Sequence, residues 1–395
     1  MYKKMFHQIS FFLLLFSLCA VTLGGCDLFR KNSPKNVVKR ELDQLKSINE
    51  DTIRTFFSYS LLSEEDTLSF ETNQDTIDAI QLFFRHFSYK ILDTQTEEDH
   101  ALVTVSITNI DTKALANDLC RAIITDSLNH TNVSEESSLI FYSSLLKDVL
   151  TDNTYDLVTT TLEIPLQKTD GLWTILTSDE LEDGLMSGLI SYLEDPNTVS
   201  AEEVVDLNLT YFKNLSPEEL ITYLGIDDIF STSSSISKEI DLEFAKKLSE
   251  GFQYRIVSSR LDDTSATVTV EITTLDLSSV LASYRKSLLA YAETADAILS
   301  TDNERSEKTA RLLLNALTLS SGTATSTLDI SLKSTGLVWE IKNMTELTEA
   351  LLANITEASH DFSDAAAQTE SDLILYPEAD AETESETLPL IQPAA

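Results

Sequence analysis

The chain has 395 residues, with 65 acidic against 28 basic side chains and a formal net charge of −37; 42% of residues are hydrophobic and 24% charged. That apolar content supports packed cores and excludes a chain disordered throughout, and the length corresponds to two or three domains. The charge excludes sequence-independent nucleic-acid binding, because the phosphates would be repelled, and 9 Gly with 7 Pro exclude collagen-like and Gly-rich architectures.

The first elements set the address. Lys3 and Lys4 precede an almost wholly apolar run over 9–23. It is shorter than the roughly 20 residues of a transmembrane helix and fits the apolar region of a secretory signal. It ends at Leu23-Gly24-Gly25-Cys26, small residues before a cysteine, which resembles the bacterial lipobox. The resemblance implies removal of 1–25 as a lipoprotein signal peptide. Cys26 then becomes the first mature residue and bears diacylglycerol, often with a third acyl chain such as palmitate. Two or more chains anchor stably where one would be marginal, so the expected location is the extracytoplasmic face of the cell membrane. Residues 26–33 form the tether. Arg30, Lys31, Lys35, Lys39 and Arg40 follow closely; two readings stand, a segment resting on anionic head groups and a plain solvated tether. Of the 3 cysteines, Cys19 leaves with the signal and Cys26 is lipidated. Cys120, left without an intramolecular partner and set among Leu119, Ala122 and Ile123, is expected to be a buried apolar side chain.

An internal repeat sets the architecture. Residues 87–111 align without a gap to 252–276, sharing 10 of 25 residues at an offset of 165, and 161–175 align to 327–341 with 7 of 15 at an offset of 166. Two copies of one domain follow, over 34–195 and 198–358, separated by the turn signal Asp195-Pro196-Asn197. Each copy begins with amphipathic helices: 36–47 and 75–86 in the first, 201–212 and 237–250 in the second. A strand hairpin comes next. Its buried faces are Ala101, Val103, Val105 and Ile107, matched by Ala266, Val268, Val270 and Ile272, alternating with polar residues at period two. Helices over 112–130 and 134–150, matched by 277–300 and 303–319, precede a second hairpin bearing Trp173 or Trp339. A short helix closes each copy. The fold class is α+β: two tandem repeats, each an antiparallel sheet of about four strands covered by amphipathic helices.

Tyr89-Lys90-Ile91 and Tyr254-Arg255-Ile256, the A-x-V-x-V-x-I-T strands and the G-x-W-x-I ending at Gly171, Trp173 and Ile175 are similar to lipoproteins of Gram-positive bacteria. Those carry tandem domains of unknown function that resemble the cystatin-like superfamily of nuclear transport factor two. In the second copy the glycine, Gly336, is one residue out of step. The resemblance implies a fold and a surface location. The superfamily hosts both enzymes and binding modules, so function is not inherited from it. Residues 360–395, acidic without a Lys or Arg, are expected to form a disordered tail with short apolar islands at 373–376 and 388–391.

Motifs for chemistry are sparse. His86, His100, His130 and His360 show no i, i+4 pair, and no phosphate-loop, dinucleotide or nucleophile-elbow pattern occurs, so no catalytic residue, metal ligand or cofactor is assigned. Ser144-x-x-Lys147 and Ser283-x-x-Lys286 have the spacing of a serine–lysine pair but lack its companion elements. Glu97-Glu98-Asp99 and Asp262-Asp263 read as polar turns without EF-hand spacing. Asp111 and Asp276 read as helix N-caps and the tryptophans as core. The repeated Tyr89 and Lys90, with Tyr254 and Arg255, are the candidate ligand-facing residues, against a Tyr packed under a helix beside a snorkelling cation. The leading functional reading is a non-enzymatic module on a lipid tether that binds an extracytoplasmic protein. The second is a small-molecule carrier with a cavity between helices and sheet, and the third a hydrolase or isomerase.

Overall fold

The computed structural model describes residues 32–54, 73–129, 138–226, 229–230, 235–334 and 338–374. The expected signal peptide, Cys26, most of the tether and the end of the tail lie outside the described residues. The chain divides near residue 200 into two compact units. Each is α+β and carries one four-stranded antiparallel sheet with its strands in sequence order.

In the first unit, helix α1 (Pro34–Lys46) starts where the Ser33 hydroxyl accepts from the Asn36 amide, with Pro34 in the first turn. It buries Val37, Val38, Leu42 and Leu45, spaced one helical turn apart. Helix α2 (Gln74–Phe84) leads into the β1 (Ser88–Glu97) and β2 (His100–Ile110) hairpin. Helices α3 (Thr112–Asn129) and α4 (Ser138–Asp152) follow, then β3 (Leu157–Thr169), β4 (Leu172–Ile175), α5 (Asp179–Leu185) and α6 (Leu189–Glu194). In the second unit the order is α7 (Ala201–Asn214), α8 (Pro217–Leu224), α9 (Ser237–Gly251), β5 (Gln253–Asp262), β6 (Ser265–Leu275), α10 (Leu277–Ala292), α11 (Ala295–Leu299), α12 (Asp302–Leu319), β7 (Thr323–Ser334), β8 (Trp339–Ile341), α13 (Met344–Leu351) and α14 (Ile355–Ile374), the first unit's order with α8 and α11 added among the described residues.

The alternation in the central strands is the core. Val103, Val105 and Ile107 are 0% exposed, as are Val268, Val270 and Ile272. Their polar neighbours stand on the opposite face, where Thr108 bonds Thr159 and Thr273 bonds Thr325, each at 2.7 Å across paired strands. Both edge strands carry a bulge at the same place, after Ile91 and after Ile256, which leaves Leu92 and Val257 exposed. Asp170-Gly171, both at positive φ, close the β3–β4 hairpin in two residues. Asp111 Oδ1 accepts from the amides of Lys113 and Ala114, and Asp276 Oδ1 from that of Ser279, so both are N-caps. Trp173 and Trp339 are buried.

Two expectations are corrected. The helix expected over 277–300 is two helices: Thr294 accepts from the Ala297 amide and starts α11 anew, its hydroxyl competing with helix continuation. The tail expected to be disordered from 360 is helical as far as Ile374. There the Phe362 ring stacks on Tyr284 of α10 at 5.8 Å, and Arg285 donates to the Ala365 carbonyl. A part-buried aromatic pair anchors a stretch whose composition alone reads as disordered.

Candidate functional site

The repeated tyrosines are engaged by the first helix of their own unit. Tyr89 Oη donates to Asp43 Oδ1 at 2.6 Å and lies 3.2 Å from the Lys39 carbonyl. Tyr254 Oη donates to Asp206 Oδ1 at 2.7 Å and shares a 2.7 Å hydrogen bond with Thr210. Burial is the first cause of the raised pKa of both phenols, and the neighbouring carboxylate adds to it. Lys90 and Arg255 emerge on the other face of the strand, exposed; Arg255 pairs with Glu271 at 2.8 Å. Tyrosine and cation therefore do not converge on one point.

The remaining sequence candidates are placed as follows. Lys147 reaches across to Asp75 of α2 at 2.6 Å rather than serving Ser144. Lys39 and Arg40, two of the basic residues after the tether, pair with Asp43 and Glu41. Cys120 is buried, and burial pushes its thiol up to about 12. Among the described residues no three His, Cys, Asp or Glu side chains are grouped to hold a metal, and no helix is long and apolar enough to cross a membrane.

What sequence reading missed is a cleft present in both units, between the first helix and the helix that follows the last strand. In the first unit α1 and α5 enclose about 40 Å³ over Leu42, Leu181 and Leu185, with Glu41 and Glu182 among the lining residues. Burial, with Asp179 second, raises the pKa of Glu182. In the second unit α7 and α13 enclose about 210 Å³ over Leu209, Leu347 and Leu351. At an offset of 167 on the first helix and 166 on the last, Glu41 and Glu182 become Asn208 and Thr348. Helix α8 adds Tyr223 and Leu224. It is fixed by a Ser216–Glu219 capping box at its start and by Gly225 in the left-handed region at its end. The signal was present in the heptad-like match of Val37, Val38, Leu42 and Leu45 to Val204, Val205, Leu209 and Phe212, which needs a register two residues away from that of the strands.

No family model matches the chain, and no curated protein matches it. Among solved structures, that of a candidate lipoprotein (ycdA) from Bacillus subtilis aligns at 11% identity over 67% of this chain and 94% of that one, with a TM-score of 0.23. A likeness at that score carries no argument about fold or function.

Proposed function

We propose that the chain is a lipoprotein held by Cys26 on the extracytoplasmic face of the cell membrane, and that its two α+β domains bind a partner there without catalysing a reaction. The observation that carries this reading is the order of the first residues: Lys3 and Lys4, an apolar run, then Gly24-Gly25-Cys26. The fold begins soon after. The Asn32 carboxamide donates to the Gly171 carbonyl at 3.1 Å and accepts from the Trp173 amide. The six residue steps from Cys26 to Asn32 reach no more than about 20 Å, which would keep the first unit beside the bilayer.

Binding rather than catalysis is supported by how the motif residues are used. The repeated tyrosines and the Ser144-x-x-Lys147 lysine are bonded to structural carboxylates, and both tryptophans pack in cores. The lipid anchor is tested by growing cells with an alkynyl palmitate and fractionating them. The native chain is expected to take the label and sediment with membranes, and Cys26→Ala to remain unlabelled and unprocessed. A labelled Cys26→Ala variant, or an unlabelled native chain, would overturn the reading.

A further inference from the structure

We propose that the cleft between α7 and α13 is a binding site for a small uncharged molecule with one apolar ring or short chain and one hydrogen-bonding group, such as an alcohol, a phenol or a primary amide. The inference deepens the binding reading by naming a ligand class; it does not depend on lipidation of Cys26. Size comes first. An apolar cavity of about 150 Å³ holds benzene, so about 210 Å³ takes a ring with one or two further heavy atoms and is too small for a peptide strand or helix. The walls are apolar and fixed: Leu209, Leu347 and Leu351 are each under 5% exposed. The mouth is adaptable, formed by the half-exposed Met344, whose unbranched thioether reshapes at little cost, and the Tyr223 ring.

Polarity sets the ligand's functional group. Asn208 spends its Nδ2 on the Val204 carbonyl at 2.7 Å, which leaves its Oδ1 as an acceptor. The Thr348 hydroxyl, also lining the cleft, offers a donor and an acceptor. An apolar enclosure with a few polar groups is the usual form of a ligand pocket. Charge selects against ions. Among the described residues no carboxylate or ammonium lines this cleft, so an ion entering it would lose water without a partner. The first unit supplies the contrast: its equivalent cleft holds Glu41 and Glu182 and about one-fifth of the volume. The two copies of the cleft thus differ in room and in the residue types at two equivalent wall positions, Glu41 and Glu182 against Asn208 and Thr348.

The test uses the chain from Asp27 to Ala395, titrated with benzyl alcohol and 1-hexanol, with benzoate as the charged control, and read by saturation-transfer NMR. Saturable binding on the order of 1 mM or tighter is expected for both neutral probes, in keeping with ligands of about seven or eight heavy atoms, and binding of benzoate at least tenfold weaker. Asn208→Glu combined with Thr348→Glu installs the side chains that the first unit already tolerates and is expected to weaken neutral-probe binding at least tenfold. Met344→Trp narrows the mouth from an exposed position without touching the walls and is expected to weaken it as well, whether or not the double variant folds. Glu182→Gln in the first unit is expected to change nothing. Absent saturation by the neutral probes, equal binding of benzoate, or unchanged binding in Met344→Trp would each overturn the proposal.

Discussion

The Tyr89 hydroxyl donates to Asp43 across the joint between β1 and α1, and Tyr254 makes the same joint to Asp206 with the carboxylate one helical turn earlier. In the shared helix register Asp43 corresponds to Thr210 and Lys39 to Asp206. Each tyrosine thus meets the same two helix positions, and a carboxylate stands at one or the other. The joint holds the first helix on the sheet, and that helix forms one wall of the cleft.

Tyr89→Phe and Tyr254→Phe are each expected to lower stability by about 1 kcal/mol, the ordinary net worth of a part-buried hydrogen bond. Chemical denaturation of each variant measures it, and an unchanged midpoint would show that the joint contributes nothing. Acid adds a second reading. The hydrogen bond from Lys39, and then that from Tyr89, hold the Asp43 carboxyl below its ordinary value of 3.8. A carboxylate with a lowered folded-state pKa stabilises the fold above its unfolded-state value, and the contribution is lost as pH falls through the lower folded value. The stability of the first unit should therefore drop below about pH 4, and less steeply in Asp43→Asn.

Cys120 is expected to resist alkylation in the folded chain. Its thiol is 5% exposed and pushed up to about 12, so almost no thiolate forms near neutral pH. In a chain beginning at Asp27, iodoacetamide should modify it only after denaturant is added. Rapid labelling of the native protein would show that α3 opens readily.

Asn109 sits at the core end of β2, 0% exposed, with no hydrogen-bond partner on either carboxamide atom among the described residues, and Thr274 repeats the position at 4% with a hydroxyl that finds none there either. An unpaired buried amide costs about 1–3 kcal/mol. The near-isosteric Asn109→Leu should raise the unfolding midpoint, and Thr274→Val should raise it by a smaller step. A fall in Asn109→Leu would mean that the carboxamide is satisfied by an internal water.

The C-terminal helix gives a fourth expectation. Ending the chain at residue 374 should leave thermal unfolding of the second unit unchanged, whereas ending it at 358 removes the Phe362 stack on Tyr284 and the Arg285 bond to Ala365. The shorter chain and Phe362→Ala should both unfold at lower temperature, the latter losing about 2–4 kcal/mol of stability, scaled down from full aromatic truncations because the ring is only part-buried. Equal midpoints would return α14 to the status of a loose tail.

Much of the fold was legible because its signals are local. The valine and isoleucine alternation marks β2 and β6, the Asp caps mark the starts of α3 and α10, and the Asp170-Gly171 turn fixes a hairpin. The clefts were not legible, because their walls come from helices some 140 residues apart in sequence. The stretch between the first helix and the first strand also changes length by two residues between copies, which hid the match of Leu42 to Leu209. Nor did composition reveal that Tyr89 serves a helix: its acid partner stands on α1, 46 residues away. The break before Thr294 and the ordered turns after residue 360 depend on single side-chain contacts that periodicity does not register.

The central claim is that one α+β fold occurs twice, each copy closing its own core. Separate expression of 32–200 and 201–374, followed by differential scanning calorimetry, tests it most directly. Each half is expected to unfold in one cooperative transition at a midpoint also present in the trace of the full chain. If neither half shows a cooperative transition by itself while the full chain does, the two copies share a core and the claim fails.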